Sequence, residues 1–357
     1  MDMMYVEDCC EILDSMRIPI TASDREEGEY PYYGANGIQD HVANYIFDDE
    51  LVLLAEDGGN FGSKERPIAY RVSGKCWVNN HAHVLKPKAG LDVDYLCYSL
   101  MFYKIDGIVN GATRQKLTQA AMRKMKIPYR SMDEQLHIVD ELNYVLKIKE
   151  QRQQELTLLD ELIKARFVEM FGNPDTNPKG WNECPLSDKL NVLGGYAFKS
   201  EQFDVNDGIP VLRIGNINAG YFKPVNMVYW QEDESLERYV MYPGDLVMSL
   251  TGTVGKDDYG NVCILGNDYG MYYLNQRNAK LEIKEGIDKY YLSQLLRFEQ
   301  IKKKLTGISR GVRQANISNR DILSLIVPVP PIELQNQFAD FVHQVDKSKF
   351  VEITALP

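Results

Sequence analysis

The sequence predicts a mixed α/β fold, α+β in detail: two strand-rich domains joined by long α-helices that form an antiparallel coiled coil, with an internal pseudo-twofold repeat. Three observations predict it. Sequence matches recur in the same order at an offset near 200 residues. The run 133–171 contains neither Pro nor Gly and carries apolar residues at helical spacing. The segments flanking it are rich in Gly, Tyr and β-branched residues, which favour turns and strands.

The repeat is clearest between Lys126-Ile-Pro128-Tyr-Arg-Ser-Met-Asp-Glu-Gln135 and Ile326-Val-Pro328-Val-Pro-Pro-Ile-Glu-Leu-Gln335. It continues with Ile138 and Phe338, Asp140 and Asp340, Val145 and Val345, and Lys147 and Lys347. Upstream, Glu50-Leu51-Val52-Leu53 matches Asp245-Leu246-Val247-Met248, and Asp94-Tyr95-Leu96 matches Lys289-Tyr290-Tyr291-Leu292. A period this long excludes a solenoid and describes two copies of a domain, each followed by a helix.

The elements follow in order. Residues 1–132 form the first domain, with a short helix over 92–104. Residues 133–172 form the long helix, with Leu136, Val139, Leu142, Leu146, Leu156, Leu159, Leu162, Ile163, Val168 and Met170 as its apolar positions. Ser131 and Glu134 supply a capping box, and Gly172-Asn-Pro174 ends the helix. At 1.5 Å per residue it would run about 58 Å, with a polar centre, Lys149–Glu155, suited to a solvated span between domains. Residues 173–330 form the second domain. Its strands are read at Ile209-Pro-Val-Leu-Arg-Ile and Asp245-Leu-Val-Met-Ser-Leu, its turns at Gly194-Gly195, Asn206-Asp-Gly208, Pro243-Gly-Asp245 and Asp258-Tyr-Gly260, and a helix at 288–306. Residues 331–357 form the second helix, about half the length of the first.

The length, 357 residues, suits two ordinary domains. With 44% hydrophobic and 25% charged residues the composition is that of a soluble globular protein. No apolar run approaches the ~20 residues that span a bilayer. The first residues lack a basic then apolar leader, and six scattered cysteines form no CxxC pair, so a cytoplasmic location with reduced thiols is expected. The net charge of −11 is unevenly spread. Windows 64–88, 104–126 and 296–320 carry +5, +5 and +6, leaving −27 for the remainder. Basic faces of this kind can meet a phosphate backbone while the rest of the surface stays acidic.

Enzymatic motifs are weak. His81-Ala-His83 has no evident third metal ligand and suits a strand face. Glu282-Ile-Lys284 matches a carboxylate-x-Lys nuclease pattern over too few positions to carry weight. The Gly-rich stretches Gly58–Gly62 and Thr251–Gly255 lack the phosphate-cradle pattern, and there is no GxSxG.

Taken in order, Gly194-Gly-Tyr-Ala-Phe-Lys-Ser200, Ile209–Ile217, Tyr242-Pro-Gly-Asp-Leu-Val-Met-Ser249, Thr251-Gly-Thr-Val-Gly255, Leu274-Asn-Gln-Arg277, Gly311-Val-Arg-Gln-Ala-Asn-Ile317 and Val327–Gln335 resemble the specificity subunits of Type I DNA restriction-modification systems. The first domain matches less closely, at Tyr33–Ile38, Phe47–Val52, Gly58–Gly62 and Gly111-Ala-Thr-Arg-Gln-Lys-Leu117. The overall acidity and the short second helix depart from the family pattern.

The resemblance implies two target recognition domains that read a bipartite site in double-stranded DNA, with helices that set half-site separation. It implies a non-catalytic subunit of a bacterial or archaeal complex. Methyltransferase subunits carrying S-adenosylmethionine and restriction subunits using ATP and Mg²⁺ would be its partners, with self-association a further possibility. No cofactor or metal is expected in this chain. Expected DNA-binding residues are Lys64, Arg66, Arg114, Gln115 and Lys116 in the first domain, and Lys256, Arg277, Arg310, Arg313 and Gln314 in the second. Arg114-Gln115 and Arg313-Gln314 occupy equivalent places in the two copies. Leu142, Leu146, Leu156, Leu159 and Ile163 form the expected partner-docking face of the helix. The competing readings are a stand-alone nuclease or methyltransferase with tandem recognition domains, which would need an NPPY-type box, and a protein-only coiled-coil scaffold. Asn173-Pro-Asp-Thr and Asn177-Pro-Lys-Gly do not fit such a box.

Overall fold

The structure, a computed structural model, describes residues 2–111, 115–307 and 314–354, with backbone alone at Gln314 and 350–354. It divides into two compact units, Met1–Gln151 and Arg152–Pro357. Among the described residues, no helix is long and apolar enough to cross a membrane.

The first unit is built on a six-stranded sheet. Its order is Cys10–Ile12, Ala82–Pro87, Phe47–Ala55, Ala69–Val78, Glu27–Gly34 and Gly37–Val42. Leu51, Val52, Leu53, Leu54 and Ala55 are all buried, so the central strand is covered on both faces. Val52 and Leu54 face a core completed by the helix Val93–Met101 through Leu96 and Leu100, while Leu51 and Leu53 face a second cluster with Val72, Val78 and Val84.

The second unit repeats this plan with changes. The sheet order Leu190–Gly194, Asn278–Ile283, Leu246–Ser249 and Val262–Ile264 parallels the first four strands of the other unit. A separate four-stranded sheet carries Tyr229–Trp230, Ile209–Leu212, Tyr272–Leu274 and Val240–Met241. The helix expected at 288–306 is two helices, Lys289–Arg297 and Glu299–Thr306, broken at Phe298, whose backbone is extended. Both units also contain the same small antiparallel pair: Met3–Tyr5 with Lys126–Pro128, and Glu183–Pro185 with Ile326–Pro328.

The capped helix forms as expected, over Met132–Phe171. Ser131 and Glu134 cap it reciprocally: Ser131 N–H and Oγ donate to Glu134 Oε2 at 2.9 and 2.8 Å, and Glu134 N–H donates to Ser131 Oγ at 3.4 Å. Gly172 stops it at φ +81°, where a Cβ would lie 2.7 Å from Pro178. The second helix runs Ile332–Thr354, 23 residues against 40.

Within the second unit, residues 152–171 of the long helix pair with Ile332–Thr354 in antiparallel sense. Phe167 packs on Phe338 at 5.5 Å between ring centroids, the Arg166 guanidinium lies 5.8 Å from the Phe341 ring, and Lys349 Nζ meets Asp160 Oδ1 at 2.6 Å. Phe167 is fully buried among Phe171, Tyr291, Phe298 and Phe338.

Candidate nucleic-acid interface

In the first unit, the loop between Phe47–Ala55 and Ala69–Val78 carries Lys64 and Arg66, both exposed. Ser63 Oγ accepts from Arg66 N–H at 2.9 Å and shapes the loop from within. The start of this loop lies beside the segment 115–117: Leu117 N–H donates to Glu56 O at 2.7 Å, and Asp57 and Lys116 form an antiparallel bridge. Asn110 and Lys116 exchange backbone hydrogen bonds at 3.0 and 2.7 Å, next to the exposed Gln115. Four of the five residues expected to touch DNA in this unit therefore lie on two adjoining loops. Arg114 lies outside the described residues.

The second unit uses the same construction. Thr251–Thr253 pairs with Gln314–Asn316, and Thr251 Oγ1 donates to Asn316 Oδ1 at 3.1 Å. That pairing brings the backbone of Gln314 opposite Thr253, at the root of the turn holding Lys256. Arg277 joins them because its carbonyl accepts from Leu250 N–H at 2.8 Å. Lys256 and Arg277 are exposed, and Lys64, Arg66, Lys256 and Arg277 have no ion-pair partner among the described residues. Their charge is available to an anionic partner. Arg310 and Arg313 lie outside the described residues, as does the side chain of Gln314.

Lys116 differs from this set. Its Nζ lies 3.0 Å from Glu56 Oε1, so its charge is paired within the chain. Glu56 in turn accepts from Arg17 Nη1 at 2.7 Å, and it borders a buried cage that sequence reading did not find. His83 is fully buried, with Nδ1 2.7 Å from Asp14 Oδ2 and Nε2 2.9 Å from Leu117 O. Both neighbours are acceptors, so both ring nitrogens donate. Gln119 Nε2 and Val84 N–H also donate to the Asp14 carboxylate, each at 2.9 Å. Burial alone would raise the Asp14 carboxyl; the hydrogen bonds and charge of His83, with Gln119 and Val84, outweigh it and hold the group below its ordinary value. Burial likewise opposes ionisation of Glu56, and Arg17 and Lys116 reverse the balance.

Asp14, Glu56 and His83 lie close enough together to suggest a metal site. The chemistry does not fit one: the imidazole has no free lone pair, and Arg17 and Lys116 already occupy Glu56. His81 is separate, with Nδ1 2.6 Å from Asp57 Oδ1. Glu282 lies on the strand Asn278–Ile283, as expected, and Lys284 Nζ donates to Ser187 O at 2.8 Å.

The helix face divides in two. Leu142 and Leu146 are 39% and 45% exposed, with Val145 at 54% between them. The repeat counterparts of Leu142 and Val145 in the second unit, Val342 and Val345, are 7% and 6% exposed, within a core cluster that also holds Ile163, Phe167 and Tyr291. Leu156 is half-buried. Ile163, expected on the docking face, is buried in the core of the second unit, and Leu159 is partly buried against the same core. Helical spacing marks an apolar stripe but not what covers it.

Comparison with known proteins decides the family. A family model described as Type I restriction modification DNA specificity domain matches residues 1–158 and 178–355. The chain belongs to this family. The two matches fall on the two copies of the repeat. Among relatives, the inferred type I restriction enzyme specificity subunit S.HindORF215P of Haemophilus influenzae is 27% identical over 349 residues, 96% of this chain and 86% of that protein. The type I restriction enzyme MjaVIII specificity subunit of Methanocaldococcus jannaschii is 23% identical over 381 residues, 97% of this chain and 86% of that protein. The crystal structure of the Type-I restriction-modification system S subunit from M. genitalium has the same fold, with a TM-score of 0.56 at 14% identity, over 99% of this chain and 91% of that one.

Proposed function

We propose that this chain is the DNA specificity subunit of a Type I restriction-modification complex, and that each unit reads one half of a bipartite target. The observation that carries the proposal is the duplicated construction at 56–57 against 116–117 and at 251–253 against 314–316, each beside exposed cations. Lys64 and Arg66 in one unit, and Lys256 and Arg277 in the other, neutralise phosphates and set register. Gln115 and Gln314, as amides, belong to the residue type whose donor and acceptor pair can read a base edge in the major groove. This division needs no catalytic group in the chain. Methyl transfer from S-adenosylmethionine belongs to methyltransferase subunits, which dock on the helix face of Leu142, Val145 and Leu146. ATP and Mg²⁺ belong to the restriction subunits.

The test is co-expression with the adjacent methyltransferase subunit in a methylation-free host, followed by single-molecule sequencing for methyladenine. A split motif with two defined halves supports the proposal. A complex that forms and methylates nothing would sink it and favour a scaffold.

A further inference from the structure

The two units hold the roots of their reading loops by different chemistry. Glu50-Leu51-Val52 matches Asp245-Leu246-Val247, and Val52 opposes Leu85 where Val247 opposes Lys280. Two residues back along each partner strand, His83 in the first unit corresponds to Asn278 in the second. Both side chains are fully buried. Asn278 Nδ2 donates to Leu212 O at 2.7 Å and so is committed to the neighbouring sheet. His83 Nε2 donates to Leu117 O, at the end of the Gln115–Lys116 segment. The root in the second unit is held by strand pairing, 251–253 with 314–316, and by Ile317 N–H donating to Leu250 O at 2.8 Å. Among the described residues, the root in the first unit has the bridge Asp57 with Lys116 and the matching bond, Leu117 N–H donating to Glu56 O at 2.7 Å.

To these bonds the first unit adds the cage. Leu117 is gripped at both backbone groups, its N–H by Glu56 O and its carbonyl by His83. Asp14 holds the far side of the ring and is itself fixed by Gln119, two residues beyond Leu117. The charged groups facing the ring are Asp14 and Glu56, the latter 3.7 Å away, with Arg17 completing the set. A buried charged hydrogen bond is stiff and directional, and its loss leaves partners unsatisfied.

We infer that His83 and Asp14 are positioning residues for base reading by the first unit alone: they aim the Gln115–Lys116 segment without touching DNA. The inference rests on the DNA-reading role proposed above.

The test uses the complex with its methyltransferase subunits on a plasmid library with randomised inserts. First, the Gln314→Ala variant, which removes the amide proposed to read a base edge in the second unit, marks which half of the wild-type motif belongs to that unit. Then His83→Gln and Asp14→Asn are read on the same library. The expected result is that the first half becomes degenerate, with discrimination lower by about tenfold, the size of one lost base contact. The second half stays intact and reports that the chain is folded. Low-salt affinity for bulk duplex DNA, carried by phosphate contacts, stays near wild type.

An unchanged first half overturns the inference. Equal loss in both halves also overturns it, because the residues would then be merely structural. If the wild-type complex itself yields no motif, the DNA-reading proposal fails before any substitution is made, and the inference fails with it.

Discussion

The Oε1 of Gln135 accepts the backbone N–H of Asp92 at 2.8 Å. Gln335 Oε1 does the same for Asp288, also at 2.8 Å. Both glutamines are fully buried, and both aspartates cap the helix that follows them. The neighbouring tyrosines repeat as well: Tyr95 Oη donates to Pro128 O, and Tyr291 Oη donates to Pro328 O. This clamp ties each domain to the start of its helix. Gln135→Leu and Gln335→Leu each strand a buried amide and carbonyl, and each should cost about 1–3 kcal/mol. Urea denaturation with tryptophan fluorescence checks this; a change below about 0.5 kcal/mol in both, the range of a neutral surface substitution, would refute the clamp.

Phe167 sits at the centre of the aromatic cluster that joins both helices of the second unit to Tyr291 and Phe298. Phe167→Ala should destabilise by about 3–5 kcal/mol, the cost of a large core cavity. Lys349→Ala, at the far end of the same helix pair, removes an ion pair whose Asp160 partner is exposed and should cost under about 1 kcal/mol. Equal effects from the two would contradict the packing described.

Acid should loosen the cage. Asp14 and Glu56 both titrate below their ordinary values in the folded chain. Their contribution is complete above the unfolded carboxyl value, about 4, and is lost as pH falls through the lower folded values. Thermal melts from pH 6 downward should therefore show a loss of stability below about pH 4 that is shallower in Asp14→Asn. An identical acid limb in that variant would show that the group does not contribute.

Exposed cations predict the salt response. Replacing Lys64, Arg66, Lys256 or Arg277 by Ala should weaken binding to all sequences alike and lower the slope of log K against log salt by about 1 for each lost phosphate contact. Fluorescence anisotropy with duplex DNA over a salt series measures it. A slope unchanged in the quadruple variant would remove these residues from the interface.

Leu142→Lys with Leu146→Lys alters an exposed face. Stability should change by less than about 0.5 kcal/mol for each substitution. Co-purification with the methyltransferase subunit should be lost. Retained co-purification would place docking elsewhere.

Local chemistry made much of this legible in the sequence. The helix Met132–Phe171 could be read within one residue of its start because Ser131, Glu134 and Gly172 act on immediate neighbours. The repeat pointed to two copies of one plan, while the structure divides at Gln151, inside the long helix. Long-range partners were beyond reach: His83 meets Asp14 across 69 residues and Leu117 across 34, and no spacing rule links them. His83 therefore read as an ordinary strand residue. Ile163 and Leu142 share one helical periodicity, and only tertiary packing separates a core position from an exposed one. The Phe298 break in the helix read at 288–306 has no Gly or Pro to announce it.

The three tryptophans make the chain its own spectroscopic probe. Trp77 donates its indole N–H to Ile18 O at 2.6 Å and lies wholly within the first unit. Trp181 donates to Phe171 O at 2.9 Å, at the last turn of the long helix, and Trp230 lies on a short strand of the second unit. With Trp181 and Trp230 replaced by Phe, emission comes from Trp77 alone. The event at one half-site can then be timed without a dye and compared with the same trace from the complementary variant.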